Sequence, residues 1–500
     1  MKKTLSVIIA AHNEAKTIGP LVRRLCRWYR RPEVIVIANG CTDRTASIAR
    51  GAGARVVRFK NRLGPDVGRA VGLSIARGDI CLVVDGDMIV PPAQLEPFVR
   101  AVQGGVDIAL NGYPFPGTKK FHHPTAIAKH ALNIFADRAD LRAASLTTVP
   151  HAISRRAIKL LGPLAFCVPP VAQARAICDG RLRIEIAGQV AVGALNRSRG
   201  AEHDQAMRRL IIGDCLEGVN IIIDQRGVRG GFTDLGRKRD LAQGASFIPK
   251  ERVSAAAIVP TQGEAGLTRL VGELTNAPFD HIRLVLNGAN EEDIESVRTT
   301  STIEVDYFAE PVGHDVGRAI GCMQVDSDKY FITDADIPLT REDVEPFLDA
   351  IDRDVDIALN NLDRILSKAR QVDPPSIVKR FLNIACDRPD LGVSSLTAVP
   401  HAISGRILRE IGFESIAVPP LGQVKAILAG LHVEAVHPVD VVKMNAVRPH
   451  LHNADSGKPL QKLIVGDHLE AIAYLQEVQG SRGNFPDPIR RIDLAERYIM

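Results

Sequence analysis

Cysteine pairing is the first thing this sequence lacks: eight cysteines are spread from Cys26 to Cys386 with no CxxC pair among them. Neither a disulfide frame nor a structural zinc site is expected from such spacing, and a reduced, cytoplasmic setting follows. Long apolar runs are missing too. None approaches the roughly 18 to 20 residues that a membrane-spanning helix needs, and the opening MKKTLSVIIAAHNEA is cut by His12, Asn13 and Glu14 before any cleavage-type site. Charge of one sign is scarce. The formal net charge is +5 over 500 residues, too little to argue for a nucleic-acid partner. Arg23, Arg24, Arg27, Arg30 and Arg31 make one local basic stretch; it reads first as a solvated helix face, with peripheral contact to a membrane as the other reading. With 45% hydrophobic and 24% charged residues, the balance is that of ordinary globular domains.

What the sequence has is repetition. SLTTVPHAIS at Ser145–Ser154 returns as SLTAVPHAIS at Ser395–Ser404, an offset of about 250 residues. DVGRAVG at Asp66 becomes DVGRAIG at Asp315, VDIALN recurs at Val106 and Val355, and LIIGDCLE at Leu210 becomes LIVGDHLE at Leu463. Even the ends agree: RGGFTDLGRKRDLA from Arg229 is matched by RGNFPDPIRRIDLA from Arg482. A period this long is a whole domain and not a solenoid repeat. Two domains are therefore expected, residues 1–245 and 250–500, joined by a short stretch that carries Gly244 and Pro249.

Within the first copy, LSVIIAA, EVIVIA, ARVVRF and ICLVVDGD are short β-branched runs separated by helical patterns, and SAAAIVP, IRLVLNG, IEVDYF and KYFITDAD repeat the arrangement in the second. Strands alternating with helices predict an α/β fold with a mostly parallel, doubly wound sheet. In such sheets ligands gather beyond the carboxyl ends of the strands. There the sequence places Asp85-Gly86-Asp87 and, in the second copy, Asp334-Ala335-Asp336. Two carboxylates at i and i+2 on a strand end can reach one hard cation through oxygen, and that cation can bridge the phosphates of a nucleotide. The plainer reading is an acidic turn. Asn39 to Asp43 opens a helix with a tight glycine turn, amide donors and a carboxylate, so Asp43 is either a helix cap or a ligand residue. Arg69 and Arg318, at the start of another helix, can hold a diphosphate or simply pair with Asp66 and Asp315.

The segments SVIIAAHNEAKTI, VIVIANGCTDRT and GRAVGLSIARGDICLVVDGDMIVPP, in this order, resemble the family-two glycosyltransferases of the GT-A fold. The resemblance is strong over roughly the first 90 residues and thins afterwards. It implies two tandem GT-A-type, Rossmann-like domains, a nucleotide-diphosphate sugar as donor, and Mn2+ or Mg2+ on the DxD carboxylates. It further implies that Ala11, Glu14 and Asn39 line the nucleoside pocket and that Asp85 and Asp87 face the metal. In the second copy the matching places are Pro260, Glu264, Asn287, Asp334 and Asp336.

One departure stands out. Where that family carries an acidic catalytic base before a helix, this sequence has Pro169-Pro170 and Pro419-Pro420. A transfer that inverts the anomeric centre needs a base for the acceptor hydroxyl, so another residue serves, or the reaction is retaining, or the acceptor is already anionic. Candidate substitutes present in both copies are Asp137 (Asp387), His151 (His401), and Asp214 with Glu217 (Asp467 with Glu470). NRSR at Asn196 is loosely similar to the retaining glucosyl-3-phosphoglycerate synthases. The acceptor itself, whether a small molecule, a lipid phosphate or a glycan, is not legible. Two other readings are a sugar-nucleotide-binding scaffold without turnover and a sugar-phosphate nucleotidyltransferase; the latter predicts a GxGxR-type loop where His12-Asn13-Glu14 stands.

Overall fold

The computed structural model describes residues 3–28, 32–113, 123–191, 200–243, 252–262, 266–288, 302–366, 373–441 and 458–499. Glu264, Glu291, Asn196, and the joining stretch with Gly244 and Pro249 lie outside the described residues.

In chain order, the first copy consists of β1 (Leu5–Ala11), α1 (Ile18–Cys26), β2 (Glu33–Asn39), α2 (Thr45–Gly51), β3 (Arg55–Phe59), α3 (Val67–Ile75), β4 (Ile80–Asp85) and α4 (Pro92–Gln103). It continues through β5 (Ile108–Asn111), α5 (Pro124–Phe135), β6 (His151–Ser154), α6 (Arg155–Leu161), α7 (Pro169–Asp179), β7 (Ile184–Gly188) and α8 (Ala201–Arg226). The second copy opens with β8 (Val253–Thr261), α9 (Leu267–Thr275), β9 (His281–Asn287), β10 (Ile303–Phe308), α10 (Val316–Met323), β11 (Ser327–Ile332), α11 (Arg341–Asp352) and β12 (Ile357–Asn360). It goes on through α12 (Leu362–Leu366), α13 (Pro374–Ala385), β13 (His401–Ser404), α14 (Gly405–Ile411), α15 (Pro419–Leu428), β14 (Val433–His437), α16 (Pro459–Gln479) and α17 (Ile492–Ile499).

Each copy builds one seven-stranded sheet, in the orders β3-β2-β1-β4-β6-β5-β7 and β10-β9-β8-β11-β13-β12-β14. All pairings are parallel except those of β6 and β13, which run antiparallel to both neighbours. The expected α/β class, two tandem, mostly parallel, doubly wound sheets, is what the chain adopts. β1, β2 and β4 are almost wholly buried because helices cover both faces, which is why they read as unbroken apolar runs instead of alternating ones. α1 buries Ile18, Leu21, Val22 and Leu25, one stripe at helical spacing, against that sheet. The glycines of the DVGRA(V/I)G motifs have a packing reason: a Cβ on Gly321 would lie 2.5 Å from Ile258 Cγ2, and Gly72 meets Ile8 in the same way. Helix and strand touch backbone to side chain there.

The compact units do not follow the expected boundaries of 1–245 and 250–500. One unit takes the chain up to Gly227 and then the tail from Gln479 onward, while the other takes Val228–Val478. The repeated tails have changed places. The cause is local: the tail arginines find their carboxylates on the long helix of the opposite repeat, as set out below.

Candidate functional site

In the first sheet the chain moves outward from β1 through β2 and β3, then returns to β4 on the other side of β1. The carboxyl ends of β1 and β4 therefore flank the switch point, where open α/β sheets form their crevice. Asp85 closes β4, and Gly86 donates its N–H to the Ala10 carbonyl at 3.0 Å. A Cβ at Gly86 would stand 2.8 Å from Ala11 Cβ, so the turn between the two carboxylates is pressed onto the end of β1. Thr17 fixes it from the other side by donating to the Gly86 carbonyl at 2.7 Å.

Arg69 organises the carboxylates. Its Nη2 lies 2.8 and 2.7 Å from the two oxygens of Asp85, its Nη1 lies 2.6 Å from Asp66, and it also donates to the Thr147 carbonyl at 3.3 Å. Burial works against the guanidinium charge, but Asp85, Asp66 and the nearby Asp87 hold its pKa above the ordinary arginine value. Asp66 sits at φ 62°, a left-handed conformation that turns the chain into α3 and delivers its carboxylate to Arg69. The second copy repeats the device: Arg318 Nη2 lies 2.9 and 3.0 Å from Asp334, and Asp315, at φ 64°, pairs with Arg318 Nη1 at 2.7 Å. Both plain readings of Arg69 and Arg318, ion pair and diphosphate holder, are thus compatible.

The loops after β1 and β2 are tied together. Asn13 Oδ1 accepts from the Thr42 N–H at 2.8 Å, and Asp43 accepts from Thr45 N at 2.9 Å and from Ala15 N at 3.1 Å. Desolvation pushes the Asp43 carboxyl up, but these donors outweigh it and leave the pKa below the usual range. Asp43 therefore closes a turn onto the first residue of α2 and stitches two strand-end loops. Glu14 stays at that edge, with its N–H donating to Thr45 Oγ1 at 2.7 Å. Ala11 is buried at the end of β1.

Asn39 departs from its expected place on the nucleoside pocket wall. Its Oδ1 accepts from Leu63 N at 2.5 Å and its Nδ2 donates to the Gly64 carbonyl at 3.1 Å. Asn287 does the same with Val312 N at 2.6 Å and the Gly313 carbonyl at 3.3 Å. Both side chains clamp the loop before the arginine helix, which explains their presence in both copies.

Of the catalytic candidates, His151 alone lies beside the carboxylates. It starts β6 opposite Val83, two residues before Asp85. Its Nδ1 is 3.1 Å from the Thr148 carbonyl, so that nitrogen carries the proton, and burial, followed by the Arg69 charge, pulls its pKa down to about 4. Asp137 is a correction: it is exposed at the end of α5, and its neighbour Arg138 donates to the carbonyl of Ile184 at 2.9 Å. Ile184 pairs with Ile108 at the start of β5, which puts Asp137 at the amino-terminal edge of the sheet, away from the DxD turn. Asp214 is also corrected. Its carboxylate is fully buried under Arg482, 2.9 Å away, and Arg490, at 2.7 and 2.5 Å, so it anchors arginines and has no path to an acceptor proton.

Two features went unread in the sequence. Gln173 in α7 accepts from Leu146 N at 2.9 Å and donates to Asn133 Oδ1 at 2.7 Å, while Asn133 donates to the carbonyls of Arg142 and Ala144. Gln423 and Asn383 repeat this network. It holds the start of the SLT(T/A)VPHAIS segment, and Pro169 and Pro170 are buried at the start of α7. Its signal was available, since both amides recur in both copies. The other feature is Arg490.

The donor set of Asp85 and Asp87 is hard oxygen, which fits Mg2+ or Mn2+, and the pinned glycine between them leaves room for no side chain. Among the described residues no group of three or more His, Cys, Asp or Glu is gathered to hold a metal, so two carboxylates would leave the remaining coordination to the ligand. No described helix is long and apolar enough to cross a membrane.

Comparison with known proteins agrees with the resemblance noted above. The chain is similar to dodecaprenyl-phosphate galacturonate synthase of Rhizobium johnstonii, 28% identical over 109 residues that cover 20% of this chain and 32% of that protein. It is similar to glucosyl-3-phosphoglycerate synthase of Mycolicibacterium paratuberculosis, 38% identical over 111 residues, 19% of this chain and 32% of that protein. Among solved structures, glucosyl-3-phosphoglycerate synthase from Mycobacterium tuberculosis, in complex with Mn2+, uridine diphosphate and glucosyl-3-phosphoglycerate, is 22% identical with a TM-score of 0.35, covering 43% of this chain and 80% of that one. The chain thus spans about a third of the length of these two curated relatives. The family model for glycosyl transferase family 2 matches residues 6–158, within the first copy.

Proposed function

We propose that the first copy is a divalent-cation-dependent glycosyltransferase whose donor is a nucleoside-diphosphate sugar. The observation that carries this reading is the Asp85-Gly86-Asp87 turn, pressed onto the end of β1 at the switch point with Arg69 bound to Asp85. In this reading Asp85 and Asp87 hold Mn2+ or Mg2+, and the cation offsets charge on the departing diphosphate. Arg69 turns toward the same diphosphate, while Glu14 and Asp43 stand on the nucleoside side. Arg318, Asp334 and Asp336 would serve a second donor site, and Asn287 supports it by clamping its loop.

The missing acid bears on the acceptor. Pro169 and Pro170 open a buried helix, and a histidine with a pKa near 4 is a weak base at neutral pH. A phosphate oxygen needs no base. We therefore take the acceptor to carry a phosphate, a reading supported by relatives named for dodecaprenyl phosphate and phosphoglycerate. A retaining course of the second kind is the remaining enzyme reading, favoured by the same absence of a carboxylate.

The test is calorimetric titration of the whole chain with uridine, guanosine and thymidine diphosphates plus manganese, repeated on Asp85/Asp87 and Asp334/Asp336 alanine pairs. Binding lost with the first pair fixes the donor site. Binding lost in two steps means two sites. No nucleotide binding sinks the transferase reading, and binding without turnover on any phosphate acceptor leaves a sugar-nucleotide-binding scaffold.

A further inference from the structure

The tail that follows the second copy in sequence belongs to the compact unit of the first, and it reaches the proposed donor site through one side chain. Arg490 is buried, and its Nη2 lies 3.2 Å from Asp66 Oδ2 and 2.5 Å from Asp214 Oδ2. Asp66 in turn holds Arg69, and Arg69 holds Asp85. A continuous line of alternating charge therefore runs from the DxD turn through Arg69, Asp66 and Arg490 to Asp214, where Arg482 continues it to Glu217 at 2.8 Å.

The contact is built and not incidental. Gly64, at φ 82°, has the Ile489 carbonyl where a side chain would be, and a Cβ on Gly213 would stand 2.6 Å from Arg482 and 2.9 Å from Phe485. The other unit has the mirror arrangement from the other tail. Arg237 lies 2.5 Å from Asp467 and 3.9 Å from Asp315, a Cβ on Gly466 would stand 2.6 Å from Arg229, and one on Gly313 would stand 2.8 Å from Arg237 Cα. The same four kinds of contact occur twice, with the donor and recipient repeats exchanged.

We propose that Arg490 is a positioning residue for the donor site of the first copy, so that each repeat supplies through its tail the arginine that sets the other repeat's diphosphate-facing arginine. This rests on the donor-site reading above. Asp66 has two oxygens, and Arg490 occupies the second one; without it Asp66 keeps only Arg69 and Asp214 only Arg482. Arg69 is then drawn toward them and away from Asp85, and the two DxD carboxylates lose the geometry in which a cation and a diphosphate meet them.

The experiment uses the full chain with Asp334→Ala and Asp336→Ala, which leaves one donor site, and titrates uridine, guanosine and thymidine diphosphates with and without manganese. Arg490→Met is expected to lower the manganese-dependent affinity by about 10-fold or more, Arg490→Lys to restore most of it by keeping the charge, and Arg491→Met, on the exposed side of the same tail, to bind like its parent. Arg490→Met is expected to lose more affinity with manganese than without it, since Arg69 meets the diphosphate in both titrations while the two carboxylates act only through the metal, whereas general damage to the fold would lower both equally. Manganese-dependent affinity unchanged in Arg490→Met, or an equal loss with and without the metal, overturns the positioning role alone. Failure of the parent itself to bind any of the three nucleotides overturns the donor-site reading and this inference together.

Discussion

Set side by side, the two copies keep one set of residues and let another drift. The arginine helix is kept: Arg69 and Arg318 hold Asp85 and Asp334 with nearly the same distances, and Asn39 and Asn287 clamp the loop before it. What differs is spread over the strand ends and the long helix. Gly86 becomes Ala335, and the HNE and CTD residues that stitch the first copy's strand ends become QGE and ANE. In the second long helix Cys215 is replaced by His468, a fully buried histidine whose Nδ1 is 2.7 Å from the Ile464 carbonyl. The lesson is that the buried ion-pair frame around Arg69 and Arg318 is harder to change than the loops that follow the first two strands. Ion-pair frames tolerate no single loss, since removing one partner strands the other.

Four experiments break or sharpen this comparison. The largest effect is expected from Asp87→Ala, which should lower manganese-dependent nucleotide affinity of the first copy by about 100-fold or more, while Asp336→Ala leaves that phase in place; calorimetric titration separates them. Next comes Arg490→Met, which leaves the buried Asp214 with Arg482 alone and should destabilise the first unit by about 2–3 kcal/mol. Its mirror, Arg237→Met, should do the same to the second unit only, so scanning calorimetry should show opposite transitions moving. A single shared shift would contradict the division into units.

Acid comes third. His151 and His401 have pKa values pulled to about 4, and His468 to about 3, chiefly by burial. Each is depressed below the unfolded value near 6.5, so the neutral-histidine stability is complete above pH 6.5 and is lost as pH falls toward 4 or 3. At pH 5 the loss is about 2 kcal/mol per histidine. The second unit, with two strongly depressed histidines against His151 and a less buried His123 in the first, should melt first on acidification, and His468→Cys should remove most of the difference. The smallest effect is expected at Asp43: alanine there removes its hydrogen bonds to Thr45 and Ala15 and should cost the first unit about 1 kcal/mol, read by denaturant unfolding, with no change in the second.

Much of the fold was legible because helices on both faces force apolar strand runs, and because the glycines and carboxylates of the motifs recur at one offset. The DxD turn and the Arg69–Asp66 pair were legible for the same reason. Asn39 was misplaced because its side chain turns back on its own loop, a direction that no spacing encodes. Asp137 was misplaced because retention in both copies marks fold as readily as chemistry; it ends a helix at the far edge with φ 59°. The tails were read as closing their own copies because the repeat matches them in order. Only coordinates distinguish a tail folded back from one carried across to an identical partner surface.

That exchange gives the chain an unequal birth. One unit is contiguous from Val228 to Val478, but the other waits for the residues after Gln479, about 250 positions later than its own last helix. At roughly 5–20 residues per second, synthesis leaves the first sheet without its closing arginines for roughly 13–50 s. Asp214 and Asp66 must spend that interval hydrated, and the Arg69–Asp66 pair gains Arg490 only once the residues after Gln479 have been made.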